Sequence, residues 1–307
     1  MRVFGLTMAA IATVTAAVQP VLVRYGAKRI DPMLFAAGCA VVAASSVLPV
    51  LWLRGELGSL IDRRYRLRLM GVAIAGTVVT TLTLTYGLRH IDAVAGILLL
   101  QSEPVYSLLL ASLFVGERPR SRQIAATFII IAGIASAVGA GGVYSPGWAA
   151  ALLALTPLFW QTAHILSLPV MPPLSPVCIT GARYGYGAAA LALAVVALDS
   201  GALAQLADPT VLMTIVAIGT VCYLLGSLTW YAAINRLSLA WTTALVIPGV
   251  PLLSIVFAMV FVGERATLRE LGGISVSIAG VLLLVLGADG VRRGTAAYAE
   301  AVHRPIN

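Results

Sequence analysis

The chain has 307 residues, of which 60% are hydrophobic and only 10% are charged, and its formal net charge is +8. A soluble domain carries about 25% charged residues, so this composition excludes a surface that faces water throughout and indicates a protein dissolved in lipid. The positive residues are mostly arginines that cluster in short segments between apolar runs. That pattern is typical of membrane orientation rather than of nucleic-acid binding, and no nucleic-acid partner is expected.

Ten apolar runs follow one another along the chain, each about long enough to cross a bilayer as a helix. Their approximate bounds are 4–26, 32–53, 69–88, 93–115, 124–142, 147–168, 175–198, 210–233, 240–262 and 271–288. A transmembrane β-barrel would show alternating apolar and polar residues, whereas these runs are apolar on every face. The predicted fold is therefore an all-α integral membrane protein with ten transmembrane helices, with the lipid bilayer as its surroundings.

The charges of the loops predict the orientation. With the amino terminus in the cytoplasm, the inside segments hold 13 positive residues and the outside segments hold 5, leaving out Arg24 and Arg183, which lie within runs. Cytoplasmic loops carry the excess of positive charge. Both termini are thus predicted to be cytoplasmic, in a multi-pass protein of the cell membrane. The polar tail 289–307 is expected to be a short disordered segment on the same side.

Two segments 147 residues apart are similar without a gap. The first, LLLQSEPVYSLLLASLFVGERPRSRQIAATFIIIAGI, starts at Leu98, and the second, LVIPGVPLLSIVFAMVFVGERATLRELGGISVSIAGV, starts at Leu245. We predict two repeated units of five helices, the first unit at residues 1–143 and the second unit at residues 144–288. Because five is odd, the two units enter the membrane from opposite sides. Such inverted repeats are common in secondary transporters.

Each unit carries a proline inside a span and an acid–arginine pair at the end of that span. Pro104 and Pro251 are expected to kink their helices, because proline removes a backbone hydrogen bond and clashes with the preceding turn. The acid–arginine pairs are Glu117 with Arg118 and Glu264 with Arg265. We interpret these pairs as structural, either as a helix C-cap that clamps the hairpin or as an acid that caps the next helix.

The repeated proline, Phe-Val-Gly-Glu-Arg and Ala-Gly pattern resembles the paired units of the EamA family, in the drug/metabolite transporter superfamily. The resemblance covers roughly residues 4–288. It implies ten helices around a central cavity, alternating access, and export or uptake of small metabolites, often amino acids. One family feature is an arginine near the start of the second helix of each unit. Arg183 takes this position in the second unit, and Cys39 takes it in the first.

The run ILLLQSEPVYSLLL places Gln101 and Glu103 in an apolar span. Glu103 lies ten residues into its run, about 15 Å from the end and close to the midplane of a core roughly 30 Å thick. An acid there is costly and usually faces a cavity or a partner. We expect Glu103 to contact a substrate amine or to carry a proton. The alternative is a structural acid, either protonated and hydrogen-bonded between helices or kinking the helix together with Pro104.

Other polar and aromatic residues within the spans are candidates for the same cavity. Arg183 is expected to bind a carboxylate or phosphate through its fork. The alternatives are that it snorkels to the cytoplasmic interface or pairs structurally with another group. The remaining candidates for substrate binding or coupling are Gln161, His164, Tyr86, Tyr223 and Trp230. For His164 the alternative is an interhelical hydrogen bond, and for the aromatic residues it is anchoring at the membrane interface.

The function that we predict is secondary transport of a small metabolite by alternating access, with export of an amino acid or related compound favoured. Phosphate-loop, HExxH and GxSxG motifs are absent from the sequence, so we expect neither an enzyme nor a cofactor or metal site. Efflux of lipophilic cations is the alternative substrate class, and a non-transporting sensor or scaffold is the alternative role. Coupling to protons, exchange and uniport all remain open, and the protein is expected to be a monomer or homodimer.

Overall fold

The computed structural model describes residues 2–115, 121–138, 146–171, 173–237, 242, 245–246 and 249–286. All regular secondary structure within these ranges is helical. The principal helices are α1 (Arg2–Ala27), α2 (Pro32–Leu53), α3 (Arg63–His90), α4 (Ala93–Leu100), α5 (Glu103–Leu110), α6 (Ser121–Val138), α7 (Gly147–Ser167), α8 (Pro176–Leu198), α9 (Pro209–Leu237), α10 (Val250–Phe257) and α11 (Leu268–Leu286). Short helical turns lie at Gly58–Ile61, Leu168–Val170 and Ser200–Ala207.

Many of these helices have the length and apolarity of membrane spans. Within the described ranges, seven qualify by both criteria, namely Val3–Ala27, Pro32–Leu53, Arg63–His90, Ala93–Phe114, Gly147–Val170, Pro176–Leu198 and Pro209–Leu237. Ser121–Ser136 and Val250–Val262 are shorter apolar helices. Large apolar side chains lie on the outer faces, such as Leu198 at 75% and Phe128 at 69% exposure. Contact of these side chains with water would be unfavourable, whereas contact with lipid is not. The all-helical membrane fold agrees with the sequence, whereas the number of ten spans stays a prediction.

The fourth predicted span is interrupted in its middle. Helix α4 ends at Leu100 and α5 begins at Glu103. Gln101 and Ser102 form a turn between them, so the span contains a break in the helix in addition to any change of direction. Proline at position 104 lacks an N–H and clashes with the carbonyl four residues earlier, which explains why the helix restarts here. The hydroxyl of Ser102 lies 3.0 Å from the carbonyl oxygen of Ala154 and ties the break to α7.

The second unit has a helix start at the equivalent position. Helix α10 begins at Val250, 147 residues after Glu103, and Pro251 follows as Pro104 does in the first unit. Each helix then continues into a π-helical turn, at Ala111–Val115 and at Ala258–Val262. These two turns are also 147 residues apart. Proline followed by a π-turn is thus a shared backbone feature of both units, and such local irregularities are frequent at functional sites.

Helices α6 and α11 pack against each other through small residues at matching positions. A Cβ atom added to Gly133 would lie 2.7 Å from the carbonyl oxygen of Gly273, and one added to Gly280 would lie 2.9 Å from that of Ala126. Subtracting 147 from positions 280 and 273 gives 133 and 126, so each contact is the counterpart of the other. As α6 advances from 126 to 133, its partner on α11 retreats from 280 to 273. The two equivalent helices are therefore antiparallel.

A buried arginine joins both units at the end of α1. Arg24 is only 3% exposed, and its guanidinium forms ion pairs with Asp92 and Glu264. The same group donates a hydrogen bond of 3.0 Å to the carbonyl oxygen of Leu88. Glu264 also accepts a 2.7 Å hydrogen bond from the backbone N–H of Ala93, the first residue of α4. The cluster therefore holds α1, the α3–α4 connection and the α10–α11 connection together.

This cluster refines the role predicted for the acid–arginine pairs. The backbone at Gly263 has φ of +70° and ends the helix as a left-handed cap, as expected. The side chain of Glu264 does not clamp its own hairpin, however, and it does not cap the following helix. It caps α4 of the other unit and pairs with Arg24, while Arg265 is exposed. Glu117 and Arg118 lie outside the described residues.

We expect Arg24→Met to lower the melting temperature of the purified protein in detergent, because the substitution leaves the half-buried Glu264 without its cation. Breaking a buried ion pair on one side costs about 3–5 kcal/mol. Arg29→Met is the matched control, since Arg29 is an exposed arginine that lies over the ring of Tyr25. Equal melting temperatures for the two variants, measured by thermal unfolding, would show that the Arg24 cluster adds nothing to stability.

Candidate substrate cavity

A cavity of ≈ 140 Å³ lies between helices of both units. Its walls come from α1, α3, α4, α5, α7, α8, α9 and α10, and from Gln101 and Val246 between helices. Among the described residues that line it, Glu103 is the acid and Arg183 is the arginine. Alanine, leucine, isoleucine and valine side chains make up much of the remaining wall. The cavity thus offers one negative and one positive group within apolar surroundings.

Glu103 lines the cavity at the break between α4 and α5. It is the first residue of α5, and one carboxylate oxygen accepts a 2.7 Å hydrogen bond from the side-chain amide of Gln161 on α7. Gln161 is buried and reaches the cavity through this bond. A carboxylate offers about four acceptor positions on its two oxygens, so the bond to Gln161 leaves capacity for a further donor from the cavity.

Arg183 is held by the π-helical segment Ile74–Val79 within α3. Its Nη2 donates to the carbonyl oxygen of Gly76, and its Nε donates to the hydroxyl of Thr77 over 3.3 Å. Gly76 is required here, because an added Cβ atom would lie 2.8 Å from the Cβ of Ala163 and 3.1 Å from Arg183 Nε. The guanidinium is 8% exposed and lines the cavity. It is therefore anchored inside the protein and does not snorkel to the interface.

His164 and Trp230 form an aromatic stack on the cavity wall. Their ring centroids are 5.1 Å apart, with an angle of 30° between the ring planes. Nδ1 of His164 and Nε1 of Trp230 are buried and have no hydrogen-bond partner in the described part of the chain. Nε2 of Gln101, another lining residue, is also buried and has no hydrogen-bond partner among the described residues. All three nitrogen atoms thus belong to residues that line the cavity.

The structure brings together most of the residues that the sequence singled out. Glu103, Gln101, Arg183, His164 and Trp230 line the cavity, and Gln161 contacts Glu103. The two tyrosines, however, lie elsewhere. Tyr223 is buried in the apolar core, and Tyr86 is a half-buried residue of α3 outside the lining. Side-chain periodicity cannot distinguish a tyrosine that packs between helices from one that faces a cavity, which is why the sequence grouped them.

Several cavity residues were not anticipated from the sequence. Trp160 lies beside Gln161 on α7, and Tyr184 follows Arg183 on α8. The hydroxyl of Tyr184 lies 2.7 Å from that of Ser227 and donates to the carbonyl oxygen of Tyr223 over 2.9 Å. The Tyr184–Ser227 bond joins α8 to α9 at the cavity wall. The position of Tyr184 next to Arg183, an arginine within an apolar run, could have indicated from the sequence that Tyr184 lines the cavity.

Comparisons with known proteins identify the family of the chain. The sequence pattern of the EamA-like transporter family matches twice, at residues 3–139 and 147–286. A probable terminal-alkyne amino-acid exporter of Streptantibioticus cattleyicolor is 30% identical over 211 residues, which cover 68% of this chain and 70% of that protein. A crystal structure with 15% identity covers 94% of this chain and 98% of its own, with a TM-score of 0.64, and so shares the fold. The two matches span most of the sequence, and the chain belongs to the EamA-like transporter family.

Proposed function

We propose that this transporter exports a small amino acid or a related zwitterion by alternating access. The observation that carries the proposal is the presence of Glu103 and Arg183 on the wall of one cavity whose lining is partly apolar. An ammonium group complements the carboxylate and a carboxylate complements the guanidinium, while the apolar walls suit an aliphatic side chain. The similarity to a probable amino-acid exporter supports the same substrate class and direction.

Alternating access is proposed to rest on two inverted units. The antiparallel contact between Gly133 on α6 and Gly273 on α11, with its counterpart between Gly280 and Ala126, supports this relation. The equivalent helix starts at Glu103 and Val250 support it as well. In transporters of this kind, interrupted helices surround the substrate near the middle of the membrane. Rocking of one unit against the other would expose the cavity to each side in turn.

The proposed topology has ten spans with both termini in the cytoplasm. Arg122→Cys and Arg265→Cys, made one at a time without Cys39, Cys178 and Cys222, place a thiol at two exposed positions. We expect an impermeant thiol reagent to label position 265 in intact cells, and position 122 only in inside-out vesicles. Labelling of both positions from one side would contradict the inverted arrangement.

The substrate class can be tested with a transport panel in proteoliposomes. We expect flux of amino acids with aliphatic side chains and little flux of cationic dyes, because a lipophilic cation gains nothing from Arg183. Flux of dyes without any flux of amino acids would favour drug efflux instead. An absence of flux for every compound, in protein that is folded by its melting curve, would favour a sensor or scaffold.

Glu103 is proposed to exchange partners during the cycle, releasing Gln161 for a substrate ammonium or a proton. Glu103→Gln keeps the shape and the hydrogen-bonding capacity but cannot titrate. We expect its flux to fall roughly 10- to 100-fold, because the substrate ammonium would no longer meet a charged acceptor, and to become independent of pH. The measurement is flux against pH at equal membrane abundance. Superimposable profiles for the variant and the parent protein would identify Glu103 as a structural acid.

A further inference from the structure

Two of the buried nitrogen atoms on the cavity wall belong to the stacked pair His164 and Trp230, and neither has a hydrogen-bond partner among the described residues. The large majority of buried side-chain polar atoms in proteins are hydrogen-bonded, so each exception requires an explanation. Both residues line a cavity that Arg183 lines as well. Trp230 Nε1 can only donate, and His164 Nδ1 donates when it carries the imidazole proton. The wall therefore provides donors that point to an anionic ligand.

These donors are displaced from the acid along α7. Gln161, which binds Glu103, and His164, which stacks on Trp230, are three residues apart on the same helix. Three residues correspond to about 4.5 Å of helix rise. The cavity thus has an acceptor at the level of Gln161 and donors about one helical turn closer to the carboxyl end of α7. A ligand with an ammonium and a carboxylate a few bonds apart matches this separation of charge.

We infer that Arg183, His164 and Trp230 form the subsite for the substrate carboxylate, while Glu103 receives the ammonium. This assignment rests on the proposed function. Arg183 is suited to the role because Gly76 and Thr77 already fix its guanidinium, so little freedom is lost when an anion binds. The stacking of His164 on Trp230 holds their two nitrogens in the same way. The ligand class is an α-amino acid with both its amine and its carboxylate free.

The proposed subsite predicts that the substrate must carry both a free ammonium and a free carboxylate. An amino-acid amide keeps the ammonium and the side chain but lacks the carboxylate, whereas an N-acetyl amino acid keeps the carboxylate and lacks the ammonium. The test compares uptake into inside-out vesicles of L-leucine, L-leucinamide and N-acetyl-L-leucine, or of the same three forms of a better amino acid from the panel. We expect the parent protein to prefer the free amino acid to both derivatives by at least about 10-fold in KM.

Trp230→Phe and His164→Phe each keep an aromatic ring in the stack and remove the nitrogen. For each variant we expect KM for L-leucine to rise roughly 10-fold and KM for L-leucinamide to stay unchanged, so that the preference for the carboxylate collapses. Both variants should still prefer L-leucine to N-acetyl-L-leucine, whereas Glu103→Gln should lose this preference. Trp148→Phe is the matched control, because Trp148 lies outside the cavity lining and packs on His90 at a ring-centroid distance of 4.8 Å.

The possible failures can be distinguished. If L-leucine and L-leucinamide lose affinity equally in both variants, the stack serves packing, and the carboxylate assignment is wrong although amino-acid transport stands. If the parent protein transports no amino acid, the proposed function is wrong and the subsite falls with it. Melting curves of Trp230→Phe and His164→Phe identify a folding defect in either variant, and the KM ratio of the folded variant then decides.

Discussion

Every ionisable side chain inside a lipid-facing protein needs a partner, and this constraint determines how the helices join. A charge within the bilayer is costly unless protein groups replace the lost water. Arg24 is surrounded by two carboxylates and two backbone carbonyls, and Arg183 by a carbonyl and a hydroxyl. Glu103 has the amide of Gln161. Each of these bonds crosses from one helix or connection to another, so satisfying the charges also fixes the tertiary structure.

The irregular backbone lies where the polar groups meet. The break at Gln101–Ser102 and the π-segment Ile74–Val79 both adjoin the cavity or a side chain that lines it. Irregular backbone at membrane depth is tolerated only where protein or a cavity satisfies its polar groups. Both repeated segments have a helix start at the equivalent position, but one helix begins with Glu103 and the other with Val250. The acid at this position is therefore specific to the first segment.

Much of the architecture could be predicted from sequence, because it follows from composition and local pattern. The apolar runs and the two repeated segments are visible along the chain, and so is the position of Glu103 within an apolar run. The partners of Arg24 are not, since Glu264 lies 240 residues away and shares no periodicity with it. The π-segments and the separation of Tyr223 from the cavity depend on how helices pack. Those features require knowledge of which helix faces meet.

The contact between α6 and α11 has a consequence for how such a chain can arise. A surface that carries Gly133 together with Ala126 is complementary to a surface that carries Gly280 together with Gly273, its own equivalent turned end over end. This is the isologous geometry of a symmetric dimer interface, here found within one polypeptide. A separate protein with that surface would pair with a second copy of itself through antiparallel helices. Fusing two such copies into one chain would keep this helix contact intact.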